Sequence, residues 1–393
     1  MRDNGQSSNE GEAGMKIIVL GAGLVGAPMA LDLAAEDRFE VTAADIDKAA
    51  LKRLAARQPK ISTVAADLSD PSRVSELAAG HDLVLSAVPG FLGFQTLRAI
   101  LEAGRGAVDI AFFPEDPFEL DELAKEKGLS AIVDCGVAPG MSNLLAGHAH
   151  ARLDRTDKIL IYVGGLPETR RWPWEYKAGF SPIDVIEEYT RPARYVENGR
   201  LVVREALSDA ELLDFEGLGT LEAFNSDGLR SLAVTLDAPD MKEKTLRYPG
   251  HIEKIAVLRA TGFFGEDEIE VRGAKVRPID LTAALLFPQW KLQPGEADFT
   301  VMRVIVEGEK NGAARRLSWD LLDRYDPATE THSMARSTGY AATTALRLLA
   351  EGLWKQPGVS PPEFLGREQA CVDFMLRGLE DRGVIYRESD EEL

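Results

Sequence analysis

Three glycines and one aspartate are the residues whose types and spacing speak most directly to chemistry. The apolar run Lys16-Ile17-Ile18-Val19-Leu20 passes straight into Gly21-Ala22-Gly23-Leu24-Val25-Gly26. A helix-like stretch to Glu36 and a second run, Phe39 to Ala44, then lead to Asp45. Strand, glycine turn, helix, strand and acid, in that order, make a dinucleotide-binding unit. Gly21 permits the tight turn. Gly23, with Leu24 and Val25 beside it, lets a pyrophosphate approach a helix N-terminus, where free N–H groups and partial positive charge favour it. Gly26 lets helix and strand pack closely. Asp45 is placed to accept hydrogen bonds from both ribose hydroxyls and to repel a 2′-phosphate. The expected cofactor is therefore NAD rather than NADP.

The elements that must position these residues follow a βα rhythm. Ile61–Ala66, Leu83–Val88, Gly106–Asp109 and Leu129–Val133 read as further strands, with helices between them. Six strands alternating with helices predict a doubly wound parallel sheet, a Rossmann domain. Ligands of such sheets sit outside the carboxyl ends of the strands. Asp67, Ala87, Val88, Pro89 and Asp109 occupy such ends and join the cofactor-binding candidates, and Asp134 stands at a fourth end. After Gly140 the pattern changes. Thr300–Glu307 and Arg316–Leu322 alternate apolar and polar residues, as antiparallel strands with one covered face do. The expected architecture is α/β: a Rossmann domain over residues 15–140 plus an inserted α+β domain with a mixed sheet over 141–335. Helices within 336–393 are expected to pack back on the first domain. Residues 1–14 are expected to be disordered and the acidic tail 388–393 to fray.

Bulk composition narrows the function classes. The chain has 393 residues, 45% of them hydrophobic, which suffices for two or three domains with a sizeable core. A net charge of −19 argues against a nucleic-acid surface. The apolar runs are too short for a membrane span. Two cysteines make no disulfide framework, which points to a reducing cytoplasm. His148 and His150, two apart on a helix, face away from each other, so no metal pair is expected.

One block is more specific than the glycine turn: Asp134-Cys135-Gly136-Val137-Ala138-Pro139-Gly140-Met141-Ser142-Asn143. Together with Tyr162–Pro167, Gly219–Phe224, Thr245–His251 and Met334–Tyr340, it resembles the saccharopine dehydrogenase family, and most closely its lysine 6-dehydrogenase branch. The resemblance runs from about Met15 to about Gly383. It implies a dinucleotide domain, an inserted substrate and dimerisation domain, a homodimer or larger assembly, and NAD(P)-linked oxidation of a C–N bond in an amino acid. The saccharopine reductases carry an Asn-Arg-Asp-Ser motif that helps to hold substrate carboxylates. Here Asn225-Ser226-Asp227-Gly228 stands in its place, without the arginine, which disfavours the carboxylate-rich saccharopine, although Arg230 lies close by.

That reaction needs a neutral amine, hence a base, and a pocket for the substrate carboxylate. His251, which titrates near neutrality, is the first choice of proton carrier, or else a buried structural histidine. Asp134 could orient the amine or serve a turn. Tyr176 in the aromatic loop is a third catalytic candidate, with Lys177 behind it as a desolvated base. The substrate-binding candidates are Gly136, Gly140 and Asn143 in the block, Glu222 for a distal amine, Asn225, and Arg247 for a carboxylate. The rival readings are cleavage of a secondary amine of the saccharopine type, and an NAD-binding scaffold without turnover.

Overall fold

The computed structural model describes residues 14–180, 182–293 and 295–393. The expected disorder of residues 1–14 thus falls outside the described residues, Gly14 apart. The first domain is built on strands β1 (Met15–Leu20), β2 (Phe39–Asp45), β3 (Ser62–Ala65), β4 (Leu83–Ser86), β5 (Gly106–Asp109) and β6 (Ser130–Ile132). They lie parallel in the order β6-β5-β4-β1-β2-β3. The run Ile17–Leu20 is continuous because both faces of β1 are covered. Ile17 and Val19 join one apolar layer, and Ile18 and Leu20 join the other. Strand order reverses between β1 and β4, which opens a crevice at their carboxyl ends.

The second sheet, nine-stranded among the described residues, is mixed. It comprises β7 (Arg155–Pro167), β8 (Ala193–Glu197), β9 (Arg200–Arg204), β10 (Glu211–Phe215), β11 (Gly219–Asn225) and β12 (Asp240–Arg247). A short hairpin, β13 (Ile269–Val271) with β14 (Ala274–Val276), stands apart from it. The long pair β15 (Asp298–Lys310) and β16 (Ala313–Arg324) completes its middle. The path runs β10-β11-β12-β7-β15-β16, with β8 joining at β12 and β9 pairing β8. Only β12 and β7 run parallel; the other pairs are antiparallel.

The C-terminal segment contributes to both sheets. Strand β17 (Gly358–Ser360) lies parallel to β6 and extends the first sheet to seven. Helix Ser333–Ala350 lies against helix Gly26–Leu33, where Arg347 and Arg382 both bind Asp32 at 2.7 Å. The tail departs from expectation. Tyr386–Glu392 is β18, antiparallel on the edge of β16. Its carboxylates meet arginines, with Glu388 2.5 Å from Arg152 and Asp390 2.5 Å from Arg315, so the charges that suggested fraying fasten it instead.

Candidate active site

A crevice of about 710 Å³ lies between the two sheets, over the carboxyl ends of β1 and β4. Gly21, Gly23, Leu24, Val25, Gly26, Asp45, Asp67, Ala87, Val88 and Pro89 line its first-domain side. Gly21 has φ +99°, and a Cβ there would stand 2.6 Å from the Ala87 carbonyl oxygen. A Cβ on Gly26 would stand 2.1 Å from the Gly21 carbonyl oxygen, whereas one on Gly23 would meet nothing within 4 Å. No side chain caps helix Gly26–Leu33. The space at Gly23 and the N-terminal end of that helix, with its partial positive charge, fit a pyrophosphate. Asp45 accepts from the Ala22 amide (2.6 Å) and the Asp47 amide (2.7 Å), so its carboxylate is held at the crevice with lone pairs left for ribose hydroxyls.

Across the crevice stand Tyr176, Glu188, Asp227, Glu243, Thr245 and Arg247. Arg247, only 2% exposed, donates from Nε to the Tyr189 hydroxyl (3.1 Å), from Nη1 to the Leu246 carbonyl (2.9 Å) and from Nη2 to Glu188 (2.6 Å). One proton on each terminal nitrogen has no described partner. The guanidinium also lies 4.4 Å over the Tyr176 ring. Asp227 is held by Arg194 in a bidentate pair at 3.0 Å. Glu243 has no cation partner among the described residues. It accepts from Ser226 Oγ at 2.8 Å, and its carboxyl is pushed up to about 8, by burial first and then by the nearby charges of Glu188 and Asp227, against the opposing Ser226 hydrogen bond.

This two-sheet architecture with a dinucleotide crevice agrees with two family models. That described as "Saccharopine dehydrogenase NADP binding domain" matches residues 17–132, and "Saccharopine dehydrogenase C-terminal domain" matches residues 136–384. The chain belongs to the saccharopine dehydrogenase family. It is 25% identical to carboxyaminopropylagmatine dehydrogenase of Synechocystis sp., over 95% of this chain and 97% of that protein. It is also 25% identical to saccharopine dehydrogenase [NADP(+), L-glutamate-forming] of Pyricularia oryzae, over 64% of this chain and 58% of that one. The fold matches apo saccharopine dehydrogenase (L-Glu forming) from Saccharomyces cerevisiae with a TM-score of 0.79, at 20% identity over 96% of this chain and all of that one. This member of the saccharopine dehydrogenase family is a nicotinamide-dinucleotide dehydrogenase acting on CH–NH2 or CH–NH groups.

Of the residues singled out from the sequence, the crevice gathers the glycine turn, Asp45, Asp67, Ala87, Val88, Pro89, Gly136, Tyr176 and Arg247. Others stand elsewhere. Asp109 is wholly buried beneath the crevice floor, where it accepts from the Ala111 amide at 2.9 Å. Asp134 is spent on a bidentate pair with Arg230 at 3.0 and 3.2 Å. His251 is 1% exposed, with both ring nitrogens engaged: Nε2 with the Tyr189 hydroxyl at 3.0 Å and Nδ1 with the Trp174 carbonyl at 2.8 Å. Burial, then the charge of Arg247, drives its imidazole down to about 3, which removes the neutral-pH titration that recommended it as a proton carrier. Asn143 caps helix Met141–Arg152 and reaches Glu363 at 3.3 Å. Gly140, at φ +141°, serves the turn before that helix. Glu222 accepts from the Gly250 amide at 2.9 Å, and Asn225 holds Ser208, Asp209 and Tyr195. Lys177 lines the crevice, but its Nζ is given to the Lys291 carbonyl (3.2 Å) and Glu296 (3.5 Å). Sequence reasoning missed Glu243 and Thr245. The signal was present: once Arg247 is placed on a strand, residues two and four before it share its face.

Proposed function

We propose that the chain oxidises, with NAD, the C–N bond of a basic amino acid carrying a single carboxylate. Lysine oxidised at its terminal amine, to the semialdehyde and ammonia, is the simplest such substrate. The observation that carries this reading is the charge balance at the substrate end. Asp184, Glu187, Glu188, Asp227, Glu243 and Asp298 line it against Lys177, Arg191 and Arg247. Arg191 is tied to Glu187, and Lys177 to Glu296. Arg247 keeps one uncommitted proton on each terminal nitrogen, and Arg191 Nη1 has no partner among the described residues. The free donors of two guanidiniums thus face six acids, enough for one carboxylate held between them. A wall so rich in carboxylates suits a substrate with surplus positive charge better than saccharopine. Cleavage of a secondary amine is the second reading, supported by the end-to-end match to the Synechocystis relative, whose name places one carboxyl and an agmatine on its substrate.

The bound nicotinamide ring supplies the hydride acceptor. This chain's own residues hold the carboxylate at Arg247, cover the reacting carbon with Tyr176, and shield it from water with the buried rings of Tyr189 and Trp290 packed behind. NAD is proposed over NADP because Asp45 and exposed Asp47 put two carboxylates at the ribose end, although the family model and the fungal relatives are named for NADP. Buried, unpaired Cys135 and Cys371 support a reducing, cytoplasmic setting, and exposed Leu201, Val203 and Leu212 support a homodimer or larger assembly.

The test is NADH formation with L-lysine, carboxyaminopropylagmatine and saccharopine, each with NAD and NADP. NAD-linked turnover of a monocarboxylate amine is expected. Turnover of saccharopine alone would refute the charge argument, and a preference for NADP would refute the role of Asp45. Asp45→Ala is expected to weaken NAD roughly tenfold, the loss of about 1.4 kcal/mol of hydrogen bonding, and to narrow the gap to NADP.

A further inference from the structure

The crevice contains one acidic group whose setting differs from that of its neighbours. Glu243 lies on β12, two residues before Thr245 and four before Arg247, and all three face the crevice. The carboxyl rests on the backbone of Gly228: a Cβ there would come 2.2 Å from the Glu243 carboxyl carbon, so residue 228 must be small for Glu243 to reach the crevice. Oε2 takes the Ser226 hydroxyl proton, and the Gly228 backbone amide also hydrogen-bonds the carboxyl. The other titratable groups of the substrate end are engaged. Glu187 pairs with Arg191, Glu188 with Arg247, Asp227 with Arg194, and Lys177 with Glu296. Both oxygens of Asp298 accept amides at the start of helix Ser333–Ala350. Asp184 lies against Gly90 on the first-domain side. Burial raises the Tyr176 phenol well above its usual range.

We infer that Glu243, a crevice-lining carboxyl with no cation partner among the described residues, is the group that takes the proton from the substrate amine. The inference rests on the amine-oxidation reading above. In the step, an N–H bond of the substrate ammonium breaks and an O–H bond forms at Glu243. The electron pair left on nitrogen drives the departure of hydride from the neighbouring carbon, whose acceptor is the dinucleotide of the established reaction. Among the described residues, the titratable groups set against Glu243 are Glu188 from helix Pro182–Thr190, Asp227 from the loop after β11 and the Tyr195 phenol of β8, with Arg247 further along its own strand. The two carboxylates favour its protonated form, and its displacement to about 8 places the change of charge where a base working on an amine needs it. It is charged above that value, so kcat/KM must rise with pH through about 8.

The experiment compares wild-type enzyme with Glu243→Gln and Glu243→Asp, with NADH fluorescence titration reporting that each variant retains its crevice. Glu243→Gln is expected to lower kcat about a hundredfold or more and to abolish the limb near pH 8. Glu243→Asp is expected to retain part of the rate with the limb shifted. Ser226→Ala, which removes the hydrogen bond that favours the carboxylate, is expected to move the limb to higher pH. A Glu243→Gln enzyme with near-normal kcat and an unchanged limb overturns the assignment. If wild type turns over none of the three amines, the functional reading fails, and infrared difference spectra then decide on Glu243. With NADH present at pH 9, where Glu243 is ionised in the free enzyme, gain of a carboxylic-acid band on adding lysine that Glu243→Gln lacks supports transfer of the amine proton to Glu243. Absence of that gain overturns it.

Discussion

Tyr189 stands between Arg247 and His251, and both neighbours fix the direction of its hydroxyl proton. Arg247 Nε can only donate, so the tyrosine oxygen accepts from it and its O–H donates to His251 Nε2. The other ring nitrogen then carries the imidazole proton and gives it to the Trp174 carbonyl. His251 is thereby locked neutral, in one tautomer, as a positioning residue that acts on Arg247 through Tyr189. His251→Ala should raise KM for a carboxylate-bearing amine about tenfold, should lower kcat less, and should leave the limb near pH 8 in place. Loss of that limb in steady-state pH profiles would return the proton to His251. Asp109 makes the opposite kind of statement. Its carboxyl is raised to about 7, by burial first, with the Asp134 charge adding and Ser86 and the Ala111 amide opposing. The unfolded chain releases this proton near 4, so the stability Asp109 contributes is complete below that pH and is lost as pH climbs through about 7. Asp109→Asn carries no such titration. Its melting temperature relative to wild type should therefore rise between pH 5 and pH 8, by the equivalent of about a few kcal/mol. A flat difference across that range would show that Asp109 ionises normally.

Elements differ in how much of their placement is local. The glycine turn was legible because strand, turn, helix and acid are consecutive, and β1 and β4 because burial on both faces leaves an unbroken apolar run. Helices were expected within 336–393, but helix Ser333–Ala350 starts earlier, and its first turn is capped from outside by Asp298, thirty-odd positions upstream, through the Ser333 and Met334 amides. No periodicity near residue 333 could report that. Glu243 differs: the face it shares with Arg247 is legible once β12 is placed as a strand, but its burial comes from β12 lying parallel to β7, with Glu243 opposite Ile161. A carboxylate between two lysines otherwise reads as surface. His251 drew attention through its residue type, while helix Pro182–Thr190, which supplies Tyr189, decided its state. Strand β18 shows the same limit, since a run of acids carries no strand signal until Arg152 and Arg315 face it. Removing residues 386–393 should expose the edge of β16 and leave those arginines without partners. Surface ion pairs contribute about 0–1 kcal/mol each, so most of the loss comes from the strand pairing. Calorimetry should show a melting temperature several degrees lower, while NADH affinity, set by the other end of the molecule, stays unchanged. An unaltered melting temperature would mean that the tail merely rests on the sheet.

At the scale of the whole molecule, the crevice exists only while the two sheets keep their spacing, and the clamp that fixes it lies at its base. Asp134 belongs to the first domain and Arg230 to the second; their side chains are 1% and 3% exposed and share two hydrogen bonds. The Arg230 guanidinium also lies 4.8 Å over the ring of Phe112, and Arg191 covers the same ring at 4.5 Å, so one first-domain aromatic is gripped by two second-domain cations. A buried pair of this kind gains little over a well-packed apolar substitute, but removal of one partner strands a charge out of water. Arg230→Ala should thus cost about 3–5 kcal/mol, more than the double replacement of Asp134→Asn with Arg230→Ala, which leaves no buried charge. Urea unfolding of the two single variants and the double variant would measure the coupling between them. The same variants separate stability from spacing. The proposed dinucleotide end, from Gly21 to Asp67, belongs wholly to the first domain, whereas Arg247 and Glu243 stand on the second, across the gap. If the clamp sets that gap, the folded double variant will bind NADH normally yet show a KM for the amine raised about tenfold. An unchanged KM would confine Asp134 and Arg230 to holding the chain together.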